Sequence, residues 1–178
     1  EAIADAGINP EEIDMIIVAH NFGDVIEGTN QTDVIPSLAS RVKHDLGIKN
    51  EFCIPYDLIF GCPGWVQGMI QAHIYIKAGE AKRCLVIGAE ALSRVVDPHD
   101  RDTMIFADGA GAVIVEGKEE KEKRGILSHA TVSHTENEKV TSLQVSETGS
   151  STVKNMLGNV TKNARGMQTL SFYFPNKK

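Results

Sequence analysis

Four stretches of the chain are apolar throughout, where a half-exposed strand would be apolar only at every second residue. They are DMIIVAH (14–20), CIPYDLIF (53–60), KRCLVIGAEAL (82–92) and GAGAVIVE (109–116). Short isoleucine- and valine-rich runs of this kind read as strands covered on both faces. The covering elements are legible too. Leu38, Val42 and Leu46 recur every four residues before Gly47, which predicts a helix with one apolar face. From Pro63 to about Ala78, Val66, Met69, Ile70, Ile74 and Ile76 predict a second helix with a broader apolar face. Pro63 suits a first turn, where its missing N–H does no harm, and Gly79 closes the helix. Strands alternating with helices define an α/β layered domain with a covered sheet.

The flanks are read less sharply. EAIADAGI reads as the end of a helix closing at Gly7, and a Gly/Asn-rich loop runs from Asn21 to about Thr32. GKEEKEKRG (117–125) is a charged turn, after which ILSHATVSHT (126–135) is expected to return antiparallel to GAGAVIVE. Past Thr135 the periodicity fades into Ser-, Thr- and Asn-rich sequence, so 136–178 is expected to be a polar, irregular tail.

Composition narrows the function classes. A net charge of −6 argues against a nucleic-acid backbone as partner, since neutralising phosphates takes clustered Lys and Arg. No apolar run approaches the ~20 residues that cross a bilayer, so no membrane partner is expected. The three cysteines, Cys53, Cys62 and Cys84, form no C-x-x-C pair. That argues against a disulfide framework or structural zinc and points to a cytoplasmic protein.

Cys62 stands apart from the other two. In YDLIFGCPGWVQGMIQA (56–72) it follows a strand directly and precedes a helix directly. Unpaired N–H groups and the helix dipole at such a tip favour an anion, and therefore a thiolate. Gly61 and Gly64 clear side chains from around it, a layout that serves serine in hydrolases of the nucleophile-elbow type. A space-filling structural thiol or a redox sensor remain the alternative readings. Cys84, inside RCLVIG, is expected in the core, and Cys53 is left without a role.

The other candidates carry bland readings beside sharper ones. Gly109 and Gly111 suit a backbone packed closely at a strand start, and no phosphate-loop or G-x-G-x-x-G pattern surrounds them. Arg94 and Arg101 stand in an acidic stretch, where a solvated salt bridge is the default and an anionic ligand the alternative. Of the six histidines, His20 at a strand end and His99 in DPHDR are the two to watch; none has metal-ligand spacing, so no metal is expected.

The ordered set YDLIFGCPGWVQGM…IKAGEAKRCLVIGAEALSRVVDPHDRDTMIFADGAGAVIVE, with AGINPEEIDMIIVAH and IPSLASRVKHDLGIKN before it, resembles the β-ketoacyl-[acyl-carrier-protein] synthase III family of thiolase-like condensing enzymes. The likeness runs from about residue 1 to about residue 130. It implies one half of a thiolase-like layered fold, with a central mixed five-stranded sheet covered by helices. Residues 1–135 would form this N-terminal half without its first strand and helix. The implied activity is an acyltransfer that starts fatty-acid chains. Cys62 would take an acyl group from acyl-CoA, and malonyl-[acyl-carrier-protein] would lose carbon dioxide and attack that acyl-enzyme. The Cys62 N–H would help hold the oxyanion.

By the same resemblance Arg101 matches the arginine that stacks on the adenine of CoA, although the following residue, often glycine in the family, is Asp102 here. Leu92 and Phe106 fall where the family lines its acyl pocket. Ile35 matches a position that reaches across a homodimer into the partner's pocket, where an aromatic residue is familiar, so a primer longer or more branched than acetyl is expected. No cofactor beyond the substrate acyl-CoA is implied. The family's enolate-stabilising His and Asn, in motifs like H-Q-A-N and G-N-T-S, belong to its second half, and neither string occurs here. The chain therefore reads as a fragment of that enzyme. Other readings are a non-catalytic dimerising piece that binds acyl-CoA or carrier protein, a related condensing enzyme of secondary metabolism, and, more distantly, a cysteine hydrolase.

Overall fold

The computed structural model describes residues 1–29, 31–121 and 124–132, together with the backbone of 169–173. The central sheet is built from β1 (Met15–His20), β4 (Ile54–Ile59), β5 (Arg83–Glu90) and β6 (Gly109–Glu116) in the order β4-β1-β5-β6. β1 runs parallel to both β4 and β5, and β6 returns antiparallel to β5. The sheet is mixed, as expected, but has four strands among the described residues rather than five. Two short strands, β2 (Asp24–Val25) and β3 (Thr32–Asp33), pair within the loop that follows β1.

β1 is buried along its whole length because it lies between two strands and between two helical layers. Its side chains alternate between those layers. Ile16 and Val18 pack with Ala39 of α2 (Leu38–Asp45), Ile48, Cys53 and Leu85. Ile17 packs with Ala72 of α3 (Gly64–Ala78), Cys84 and Val86. Ile16, Ile17 and Val86 are all 0% exposed. Fully burying each such side chain contributes about 1.5–3 kcal/mol. β4 is less buried, as suits a strand at the sheet's side, and its Pro55 removes an N–H that an interior strand would need.

The helices end where the glycines predict. Gly7 follows α1 (Ala2–Ala6) in the left-handed region at φ 64°, and Gly79 follows α3 at φ 79°. α2 is started by Ser37, whose hydroxyl accepts from the Ser40 N–H at 3.1 Å. Ile74, expected on the apolar face of α3, is 48% exposed; Ile70, Ala72 and Gly68 take the inward positions.

Beyond β6 the expectation needs correcting. β7 (Ser128–Val132) does not pair with β6; it pairs antiparallel with β8 (Thr169–Tyr173). A strand therefore stands inside the stretch expected to be irregular, and the remainder of 136–178 lies outside the described residues. β7 leans on α3 instead, with Thr131 Oγ1 3.3 Å from Gln67 Oε1 and the rings of His73 and His129 edge to face at 5.7 Å.

Candidate active site

The sheet directions decide where chemistry can gather. β1, β4 and β5 are parallel and end at one edge, and antiparallel β6 begins at the same edge, with Glu90 opposite Gly109. The β1 exit leads to Ile35, the β4 exit to Cys62, the β5 exit to Leu92, and the β6 entry follows Phe106. Ile35, Cys62, Leu92 and Phe106 thus all lie on segments that join the sheet at one edge. Clefts at the carboxyl ends of parallel strands are where open α/β sheets bind ligands.

Cys62 sits in a tight turn between β4 and α3. Gly61 opens the turn at φ 77°, a conformation that side-chain-bearing residues rarely adopt. The Gly64 N–H closes it on the Gly61 carbonyl at 2.9 Å. Pro63 occupies the helix cap, and no side chain caps the first turn, whose Gly64 N–H is taken by the Gly61 carbonyl. Cys62 is exposed, whereas Cys53 and Cys84 are buried. Burial pushes the Cys53 thiol up, and pushes the Cys84 thiol up to about 12. Of the three thiols, Cys62 alone is open to a reagent from solvent.

Close packing fixes the height of that turn above the sheet. A Cβ on Gly64 would stand 3.2 Å from the Ala19 Cβ, and one on Gly68 3.0 Å from Val86 Cγ1. On the sheet side, a Cβ on Gly88 would stand 3.1 Å from the Trp65 Cβ. Glycine on both surfaces lets α3 settle onto β1 and β5 with nothing between.

Two acid-centred clusters stand at this edge. The first is Glu90, whose Oε2 accepts from the Asn21 N–H at 2.8 Å and from Asn21 Nδ2 at 2.7 Å. Asn21 Oδ1 in turn lies 3.7 Å from the position of a Cβ on Gly61. The second is Asp57, which accepts from the Leu38 and Ala39 N–H groups, both at 2.8 Å, and lies 3.0 Å from His20 Nε2. His20 follows Ile16 and Val18 in the alternation of β1, so its ring lies on the α2 face with Asp57, not on the α3 face with the Cys62 turn. Its part is to fasten the start of α2 to the sheet.

The remaining candidates lie on loops. Leu92 opens a short 3-10 turn, Leu92–Arg94, and is partly buried, as is Phe106. Asp108 joins their segments by accepting from the amide and the hydroxyl of Ser93. Arg101 begins a second turn, Arg101–Ile105; its side chain is 92% exposed and 3.6 Å from Asp102, the solvated pair that its acidic surroundings predict. That turn is anchored by buried Thr103, whose hydroxyl donates to the carbonyls of Asp97 and Asp100. Ile35 is 85% exposed, on a loop held by Arg41, which bridges Asp24 and Asp33 while Arg94 also pairs with Asp24. His99 is exposed and pairs only locally, with Asp97. Among the described residues no cluster of His, Cys, Asp and Glu is arranged to hold a metal ion.

Sequence reasoning missed Asn21, Asp57 and Glu90. Each is a polar residue inside or next to an apolar run, the one signal that could have found them, since a polar group there is tolerated only with partners.

An α/β sheet covered on both faces, with an accessible cysteine at the corner between a parallel strand and its helix, fits the thiolase-like layered fold that the resemblance implies. Residues 56–135 match the family model of 3-Oxoacyl-[acyl-carrier-protein (ACP)] synthase III. Over this stretch the chain is similar to that family. It is 43% identical over 120 residues to the beta-ketoacyl-[acyl-carrier-protein] synthase III of Clostridium acetobutylicum, a match covering 67% of this chain and 34% of that protein. With the beta-ketoacyl-[acyl-carrier-protein] synthase III 1 of Vibrio vulnificus it is 42% identical over 161 residues, covering 89% of this chain and 47% of the relative. The crystal structure of 3-oxoacyl-[acyl-carrier-protein] synthase III from Aquifex aeolicus superposes with a TM-score of 0.62 at 36% identity, covering 75% of this chain and 40% of that one. The chain thus spans about a third to about half of the relatives' length.

Proposed function

We propose that this chain is the acyl-accepting part of an enzyme that starts fatty-acid chains. The Cys62 thiolate attacks the carbonyl carbon of an acyl-CoA thioester. The new bond is Cys62 Sγ–C, the bond broken is the carbonyl–sulfur bond of CoA, and the proton given up by Cys62 ends on the CoA sulfur. The Cys62 N–H, at the head of α3, contributes one donor to the tetrahedral oxyanion. Malonyl-[acyl-carrier-protein] then loses carbon dioxide, and the carbanion left behind attacks the acyl group. Cys62 is freed and a 3-oxoacyl thioester forms. By resemblance, the His and Asn that favour this second step belong to the part of the relatives that the chain does not span.

In this reading Arg101 meets the CoA adenine, and its exposure suits a residue that contacts a ligand from solvent. Leu92 and Phe106 line the acyl pocket. Ile35 projects from its loop toward a partner copy in a homodimer, and the site works without a cofactor beyond its substrates. The compartment is the cytoplasm; no helix among the described residues is long and apolar enough to cross a membrane. The observation that supports the reading most is the contrast between one exposed cysteine at the strand–helix corner and two buried ones.

The test is direct. The chain is incubated with acetyl-CoA and with isobutyryl-CoA and weighed by intact mass spectrometry, with Cys62→Ala as the control. The reading expects an acyl adduct that disappears in the variant, larger with the branched primer. No adduct on the parent chain would support the non-catalytic binding reading instead. Sedimentation as a monomer would remove the homodimer.

A further inference from the structure

Asn21 and Glu90 are 69 residues apart, yet one carboxylate oxygen holds the asparagine twice. Oε2 of Glu90 takes both the backbone N–H and the side-chain Nδ2 of Asn21, at 2.8 and 2.7 Å. With Nδ2 bonded to Glu90, the Asn21 amide is oriented, and its Oδ1 stands 3.7 Å from where a Cβ on Gly61 would be, so a side chain at that position would meet it. Gly61 is the residue whose left-handed backbone opens the turn and whose carbonyl closes it on Gly64. In space the order is Glu90, Asn21, then the Gly61 position, with Cys62 next along the chain.

A second observation sets Glu90 apart from an ordinary structural ion. Its other oxygen, Oε1, is buried with no hydrogen-bond partner among the described residues. A carboxylate that leaves one oxygen unbonded gains less from its burial than a fully satisfied one. Its presence calls for a use beyond holding the sheet together.

We propose that Glu90 is a positioning residue for Cys62, acting through Asn21 and Gly61. It sets where the sulfur stands relative to the head of α3, and so how well an incoming thioester carbonyl lines up with sulfur and N–H together. The inference rests on Cys62 being the nucleophile; it assigns to Glu90 no contact with the acyl group. A misplacement of about 1 Å can lower such a rate by up to about a hundredfold.

The test compares Glu90→Ala, Glu90→Gln and Asn21→Ala in the full chain, following acylation of Cys62 across a range of isobutyryl-CoA concentrations. Glu90→Ala should lower the saturating rate constant about tenfold while leaving the half-saturating concentration unchanged. Glu90→Gln still offers Asn21 an oxygen and should stay within about threefold of the parent. A parent-like rate in Glu90→Ala, or a glutamine variant as slow as the alanine one, would overturn the proposal. Should circular dichroism show Glu90→Ala unfolded, Asn21→Ala decides: the same tenfold loss supports the relay and an unchanged rate defeats it. Should the parent chain take no acyl group, the proposed function fails, and iodoacetamide becomes the probe. Glu90→Ala must then slow alkylation of Cys62 about fivefold, and an unchanged rate rules the relay out.

Discussion

The carboxylate of Asp108 takes both the backbone N–H and the hydroxyl of Ser93, joining the turn that carries Leu92 to the entrance of β6. Two segments that leave the sheet from neighbouring strands are thereby held as one wall. The Ser93 hydroxyl first, then its amide, hold the Asp108 carboxyl below the usual range. A carboxylate so lowered keeps its partner fully above its ordinary value and loses it as pH falls through the lowered one. Asp108→Ala should free the wall and flatten the preference among acyl-CoA chain lengths by about fivefold. Adduct yields measured by intact mass across a chain-length series would check this, and an unaltered preference would count against it.

Thiol accessibility makes a simpler prediction. Iodoacetamide at pH 8 should modify one cysteine of the native chain, Cys62, because Cys53 and Cys84 are buried and their thiols are pushed up by burial. All three should react in guanidinium chloride. Peptide mapping distinguishes the two patterns, and native modification of Cys84 would contradict the packing of β5.

Asp57 is the single acceptor for two N–H groups at the start of α2 and a partner of His20. Asp57→Ala leaves all three without it in a part-buried place, which costs about 3 kcal/mol. Asp57→Asn keeps one oxygen and should lose less. Chemical denaturation of the two variants tests the order; equal stability of parent and alanine variant would sink it.

Gly68 lies where α3 meets β1 and β5. A valine there would push against Val86 and Ile17, and overpacking of this kind destabilises by about 1–3 kcal/mol. An alanine gains up to about 1 kcal/mol of helix propensity against a smaller clash, so its net loss should be less. The two melting temperatures rank the substitutions.

The His73–His129 contact ties β7 to α3. Burial, with the charge of Lys77 and then His129, holds His73 below the ordinary imidazole value. An imidazole so depressed stays neutral in the folded chain and takes up its proton more readily when released. The stability it contributes is complete above about pH 6.5 and is lost progressively as pH falls below that. Protection factors in β7, corrected for the intrinsic pH dependence of exchange, should therefore fall between pH 6.5 and 5.5, and less so in His73→Gln. A variant with the same pH dependence as the parent would show that another group governs it.

Much of the fold was legible because its signals are local. β1 is a continuous apolar run, and α3 is bounded by Pro63 and Gly79. The Cys62 corner was legible for the same reason: strand, turn glycine, sulfur and helix start are consecutive. Pairings between distant segments were not. The β7 sequence names no partner, and proximity in the chain pointed to β6 where the structure gives β8. Glu90 ends an apolar run as an unremarkable charge, and only the meeting of the β1 and β5 exits turns it toward Asn21. The helical spacing alone placed Ile74 inward, but α3 turns its glycines to the sheet instead.

Since a Cβ at Gly64, Gly68 or Gly88 would press on Ala19, Val86 or Trp65, the height of α3 and of the Cys62 turn above the sheet is set by these close approaches. Leucine, isoleucine and methionine elsewhere in the interior can be exchanged over generations without tilting that platform. On the proposed function, the loops that carry Leu92, Phe106 and Ile35 change with the acyl group while this packing stays the same.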